Sequence, residues 1–385
     1  MNRIYYAERD TIIYEQYPDR NTGIDEILEL EKITSGSINS KTGFIDANTY
    51  NSRILIDFGS EITALSQSMT NGDIPSISNS NITSASIFLN LHASDATDLL
   101  RSYTIKAYPI SESWDNGRGY MSDDPPTKVG SSWYNRSGDA VAQSVVTWDT
   151  ANAHSKNTSA GTSNSSGGGT WITGSGYEAS QSFENESPDI RINVTDIVKQ
   201  WVDSNIANNG FIIKRPYSDE ISGELGGSIK FFGRESHTIF VPRLEVCWDD
   251  QSITSTTGIT SNTYVPYFKN IKPEYRTSEI ARFRLGVRPE FPSKSYATSS
   301  FYITEDILPV SSSYEIIDSV TNDVIVQDEK IFSNSTTKIS NDNDGNFFDL
   351  RMDSFMPERY YKIKLTCRRS YDTQTYDDFY FKVVN

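Results

Sequence analysis

Cysteine and histidine are nearly missing from this sequence. Two cysteines, Cys247 and Cys367, serve 385 residues. Two cannot build a disulfide framework or a cysteine-rich zinc site. The histidines His92, His154 and His237 lie far apart, with no His-x-x-x-His or His-Glu-x-x-His spacing. A histidine metal cluster and most histidine acid–base schemes are therefore disfavoured. No apolar stretch approaches the roughly 20 residues that span a bilayer as a helix. Residues 1–8 lack the apolar core of a signal peptide, so no Sec leader is expected there. Positive charge is also short: 35 Lys and Arg face 51 Asp and Glu, a formal charge of −16. Phosphate neutralisation needs an excess of Lys and Arg, so neither nucleic acid nor an anionic membrane is expected as a partner. No Gly-x-Ser-x-Gly, P-loop or Gly-x-Gly-x-x-Gly after a strand is present, and no nucleophile–base pair is recognisable. No enzymatic activity is expected, although 51 acids offer many carboxylate pairs.

What is present is Ser, Thr, Asn and aromatic residues, a bias that suits strands and turns. Short β-rich runs recur at Ile54–Phe58, Ser86–Leu91, Tyr103–Tyr108, Ile190–Val194 and Leu244–Trp248. In the last third, Phe283, Leu285 and Val287, then Tyr361, Ile363 and Leu365, then Phe379, Phe381 and Val383 alternate with their neighbours. Period-2 alternation buries one face of each strand and wets the other. One amphipathic helix is predicted over about 196–203, with Thr195 as N-cap and Ile197, Val198, Trp201 and Val202 on its buried face. A second helical turn is predicted at Ala93–Arg101. The acidity is uneven: residues 1–250 carry net −14 and residues 251–385 net −2. The change falls in a Ser/Thr/Gly-rich stretch, read as a linker over 250–264. The expected fold is all-β, with one sandwich over 1–249, carrying the short helix, and a second over 265–385. Residues 112–180 form a long Trp/Gly/Ser-rich insert, whose piece Ser155–Gly169 is expected to be flexible.

The run Val194-Thr195-Asp196-Ile197-Val198-Lys199-Gln200-Trp201, followed by Asn208-Asn209-Gly210-Phe211-Ile212-Ile213, resembles the DNRLRE-type β-sandwich domain. That family is similar to a group of carbohydrate-binding modules. The likeness continues through Ile229–Glu235 and Pro242–Val246. It includes Asp10–Glu15, Asn21-Thr22-Gly23 and the tryptophan motifs at Trp114 and Trp148. It covers about residues 5–249 and implies a jelly-roll-like fold. The long insert and the absence of a signal peptide depart from it. Residues 265–385 are similar in strand count and size to an immunoglobulin-like or fibronectin-like sandwich.

Candidate sites follow from residue type. Trp133, Tyr134, Trp148 and Trp171 lie in or near loops, where rings either stack on a sugar or pack the insert onto the sheet. Asp115, Asp123 and Asp124 are calcium candidates among loop acids; no other metal or cofactor is expected. Asn341–Asn346 resembles a calcium loop but lacks the twelfth-position acid, so a hairpin turn on Asp344-Gly345 is expected. Arg282, Arg284 and Arg288 form a basic strand face that could dock an acidic partner. Arg234-Glu235 is expected to tie a neighbouring loop, and Trp201 to anchor the helix. Together these features point to a non-enzymatic virion component of a tailed phage: a decoration, neck-collar or tail-associated protein. It would assemble with other virion proteins in multiple copies, and host-glycan contact is a further expectation. The alternative is a carbohydrate-binding or adhesion protein at a bacterial cell surface.

Overall fold

Short runs rich in β-branched and aromatic residues become many of the strands. The computed structural model describes residues 1–38, 45–77, 85–139, 144–148, 167–222, 225–261, 263–291, 306–328, 336–369 and 372–385. The chain is mostly β, with several antiparallel sheets, one of them curled into a half-barrel. It divides into two units: Tyr5–Ser80 with Ser86–Glu245, and chiefly Val246–Asn385 joined by Met1–Ile4.

In the N-terminal unit, seven strands run in the order Ala179–Glu184, Ser102–Pro109, Phe211–Lys214, Ile45–Asp57, Ile27–Ile38, Gly227–Phe232, Ala93–Thr97. An eighth, Arg9–Tyr14, also pairs with Ile45–Asp57. A second sheet places Ser86–Leu91 between Ile190–Asn193 and Arg243–Cys247. Ile54, Leu55 and Ile56 are all fully buried, as a strand covered on both faces requires. In Ile27–Ile38, Leu28 and Leu30 enter the core while Glu29 lies on the other face.

The predicted helix forms over Thr195–Val202, burying Ile197, Val198 and Trp201. Trp201 meets Phe211 edge-on at 4.6 Å. Thr195 is the first helical residue rather than the cap. Its hydroxyl donates to Asn193 Oδ1 (2.6 Å) and accepts from the Ile87 N–H (2.8 Å), tying the helix to the sheet. Ala93–Arg101 is not helical. Ala93–Thr97 is an edge strand on Gly227–Phe232, because pairing to the sheet overrides a weak local propensity. A helix the sequence reading omitted, Gly59–Thr70, buries Ile62, Leu65 and Met69 at spacings of three and four.

In the C-terminal unit, a four-stranded sheet runs Tyr264–Phe268, Ile280–Pro289, Gly345–Arg351, Ser340–Asp342. A five-stranded sheet runs Glu274–Arg276, Thr373–Val384, Arg359–Arg368, Ser313–Asp318, Val324–Val326. The two meet through rings: Tyr314 stacks on Phe348 at 4.1 Å, and Phe283 lies 5.5 Å from Phe381. The expected turn is present with its centre shifted. Asp342 opposes Gly345, so Asn343-Asp344 is the two-residue connection and Gly345 takes φ +114°. The stretch read as a linker is bonded to this unit. Gln251 donates to Val310 O and Ile339 O, both at 3.1 Å, and the amides of Thr254 and Ser255 donate to Asn341 Oδ1. The greater part of Ser155–Gly169 lies outside the described residues.

Candidate functional site

The tryptophans of the insert are packed, not presented. Trp114, Trp133, Trp148 and Trp171 are each 5 % exposed or less and share one apolar cluster with Ile13, Leu55, Tyr108, Ile110 and Ile212. Their faces are covered by protein, so a sugar has no ring of this group to stack on. Tyr134 alone is part-exposed, at 36 %. Two rings are covered by buried charge. The Arg53 guanidinium sits 4.7 Å from Trp133 and 5.0 Å from Trp171, and Lys214 Nζ lies 5.0 Å from Trp171. Glu220 answers both cations. It accepts from Arg53 Nε (3.0 Å) and Nη2 (2.8 Å) and pairs with Lys214 at 2.8 Å. Arg53 also donates to the Gly168 carbonyl. Burial pulls Lys214 down to about 8, against the opposing pull of Glu220.

The loop before this cluster is held by Asn21, which is fully buried. Its amide donates to Asn116 O (2.7 Å) and Ser131 O (2.8 Å). Its Oδ1 accepts from the N–H groups of Gly23 (3.2 Å) and Gly119 (2.8 Å). A Cβ at Gly117, already at φ +78°, would meet Asn21 Oδ1 at 2.3 Å, so only glycine allows this approach. The calcium candidates do not converge. Asp123 accepts from Thr127 Oγ1 (2.7 Å) and the Tyr120 N–H (3.0 Å), bonds that hold its carboxyl below the usual range. Asp115 and Asp124 are exposed. No group of three or more His, Cys, Asp or Glu side chains suited to a metal occurs among the described residues.

Arg234 and Glu235 pair with each other at 2.8 Å, and the tie to the neighbouring strand runs through the Arg234 N–H, which donates to Asp10 Oδ2 at 2.7 Å. Burial pushes Asp10 up to about 7, with the Arg234 N–H pulling the other way. The folded chain therefore keeps a proton on Asp10 between pH 4 and 7, where the unfolded chain has lost it. That stabilisation is complete below pH 4 and disappears as pH rises through 7. Wild type should lose about 2–4 kcal/mol from this group between pH 4 and 8. Asp10→Asn should flatten that part of the profile. Urea midpoints across pH test this, and parallel slopes for the two proteins would refute it.

Two of the three arginines on the basic strand face are paired with carboxylates of their own unit. Arg282 grips Asp349 with two 2.8 Å bonds, Arg284 grips Asp342 likewise, and both lie over the Phe347 ring. Arg288 donates to the carbonyls of Pro289 and Glu290. Strand register brings Asp349 opposite Arg282, a pairing that composition could not reveal.

A cleft of about 390 Å³ opens on the N-terminal unit, lined by Tyr14, Asp25, Glu29, Tyr120, Met121 and Lys230, with Glu26 and Ile27 beside them. Strand alternation explains the acids: Leu28 and Leu30 point into the core, so Glu29 and Glu31 share the opposite face, with Lys230 and Ser228 across the ladder. Glu29 accepts from Ser228 Oγ (2.7 Å) and Tyr14 Oη (3.2 Å), and lies 3.7 Å from Lys230 Nζ. Burial, with the Glu29 charge beside it, pushes Glu31 up to about 7. Burial raises Asp25 too, against the pull of the Met121 N–H. The Tyr14 phenol is raised first by burial and then by the charges of Glu29, Glu31 and Asp25. Tyr120 is 44 % exposed at the edge. The cleft thus offers acceptors, one ammonium and an open aromatic edge, the complement of a polyhydroxylated ligand. Only the Leu-Glu-Leu-Glu alternation at 28–31 signalled it in the sequence. No protein-family model, curated protein or solved structure matches the chain.

Proposed function

We propose that this chain is a structural component of a tailed-phage virion that works by binding, and that the cleft around Glu29 is where it contacts a host glycan. In this reading the N-terminal unit is a jelly-roll-like module of carbohydrate-binding type, and the C-terminal unit an immunoglobulin-like module. The two-sheet packing of the C-terminal unit supports the second assignment. The observation that carries the glycan contact is the cleft itself: Tyr14 and Tyr120 beside Glu29, Asp25 and Lys230. Carboxylates and a lysine bond sugar hydroxyls, and a part-exposed ring covers an apolar sugar face. A glycan array with the purified chain should return a neutral-sugar ligand whose binding falls at least tenfold in Tyr120→Ala and in Glu29→Gln. Mass spectrometry of purified virions tests the structural role separately. Presence in the particle without array binding keeps the assembly role and removes the glycan. Array binding without presence in the particle leaves the bacterial adhesion alternative.

One observation favours a second reading, polysaccharide hydrolysis. Glu29 and Glu31 share a strand face, and Glu31, held protonated to about pH 7, sits beside a hydrogen-bonded Glu29. In glycosidases a carboxyl kept protonated beside a second carboxylate can serve as the general acid. Turnover of any polysaccharide, lost in Glu31→Gln, would establish it; no turnover across a broad panel would retire it.

A further inference from the structure

The C-terminal unit holds a cavity of its own, of about 630 Å³. The segment Thr256–Thr260 forms one wall, Pro309–Ser311 another, and Lys338, Arg368 and Arg369 supply its charge. Its volume falls in the range of about 300–1,000 Å³ typical of small-molecule sites. The charge is unbalanced. Arg368 donates Nη1 to Ser313 Oγ at 2.6 Å and Nη2 to the Asp328 carboxylate, while its Nε is buried with no acceptor among the described residues. Arg369 donates one N–H to Ile259 O at 2.7 Å and lies over the Tyr264 ring at 4.8 Å, which fixes its plane. Lys338 lines the cavity, and no carboxylate pairs with its ammonium among the described residues. Among the described residues that line the cavity there are three cations and no carboxylate, and Asp328, off the lining, is held by Arg368.

A stacked, backbone-anchored guanidinium and an ammonium lining one cavity are groups that receive an oxyanion. The remaining wall is part apolar, with Gly258, Ile259, Pro309 and Val310, and part hydroxyl, with Thr256, Thr260 and Ser311. Its hydroxyls suit sugar hydroxyls, and the volume exceeds that of a bare inorganic ion. We propose that this cavity binds an anionic saccharide, with a phosphate or carboxylate seated between Lys338 and Arg369.

Isothermal titration of the full chain tests this with glucose 6-phosphate, glucuronate, glucose and inorganic phosphate. At low salt at least one charged sugar should bind, and glucose should not. The stronger of glucose 6-phosphate and glucuronate names the anion. Affinity should fall about tenfold in Lys338→Gln and in Arg369→Ala, the loss expected for one charge-assisted contact, and should recover in part in Arg369→Lys. Unchanged thermal unfolding of each variant shows that the loss is local. A variant that fails to fold is replaced by its partner, since either cation alone reports on the site. No binding of either charged sugar at low salt overturns the proposal. So does equal affinity in the wild type and the folded variants, or inorganic phosphate binding as tightly as glucose 6-phosphate.

Discussion

Glu220→Gln should destabilise the N-terminal unit by about 3–5 kcal/mol at pH 7, as expected when one partner of a buried ion pair is removed. The reason is arithmetic of charge. Arg53 and Lys214 are each 2 % exposed at the side chain, and Glu220 is the carboxylate between them. Without it, two cations stay in a dry interior over the rings of Trp133 and Trp171, which offset only part of the desolvation cost. Five of the six tryptophans lie in this unit, so fluorescence during urea unfolding follows it. The loss should shrink as pH rises through about 8, where Lys214 sheds its proton while Arg53 remains charged. A loss below 1 kcal/mol would mean that water reaches these charges and that the network contributes little.

Trp148→Ala should cost roughly 3–5 kcal/mol through lost burial and the cavity left behind. Trp148 is 2 % exposed, and its indole N–H donates to Ser132 O at 3.0 Å. Trp148→Phe should recover part of the loss, since it restores volume without the N–H. Glycan binding by the folded fraction should stay unchanged, because the cleft draws on Tyr14, Glu29, Tyr120 and Lys230 instead. The opposite pattern, binding lost with stability intact, would return Trp148 to the role of a sugar platform.

These two substitutions mark where the sequence was legible. The helix at Thr195–Val202 was readable because Ile197, Val198 and Trp201 repeat at helical spacing. The strands Ser86–Leu91 and Ile190–Asn193 were readable from β-branched and apolar runs. Gly59–Thr70 carried the same signal in Ile62, Leu65 and Met69, diluted by Ser, Thr and Gln. The fate of Trp133 and Trp171 was hidden, because the cations that cover them arrive from Arg53 and Lys214, distant in the chain. Arg282 looked like a docking charge for the same reason: Asp349 meets it only through strand register. The cleft was least legible. Its carboxylates, rings and ammonium lie on four separated segments, and period-2 alternation tells which face is wet, not what stands opposite.

The Asn21 contacts have a bearing on where the protein can function. Disulfides that staple long loops form only where the compartment is oxidising. Here four hydrogen bonds made by one carboxamide join Gly23, Asn116, Gly119 and Ser131, while the two buried cysteines form no disulfide. The fastening is therefore indifferent to redox potential. A loop system closed this way keeps its geometry in a reducing cytosol and in an oxidising exterior alike, so passage from one to the other leaves it unchanged.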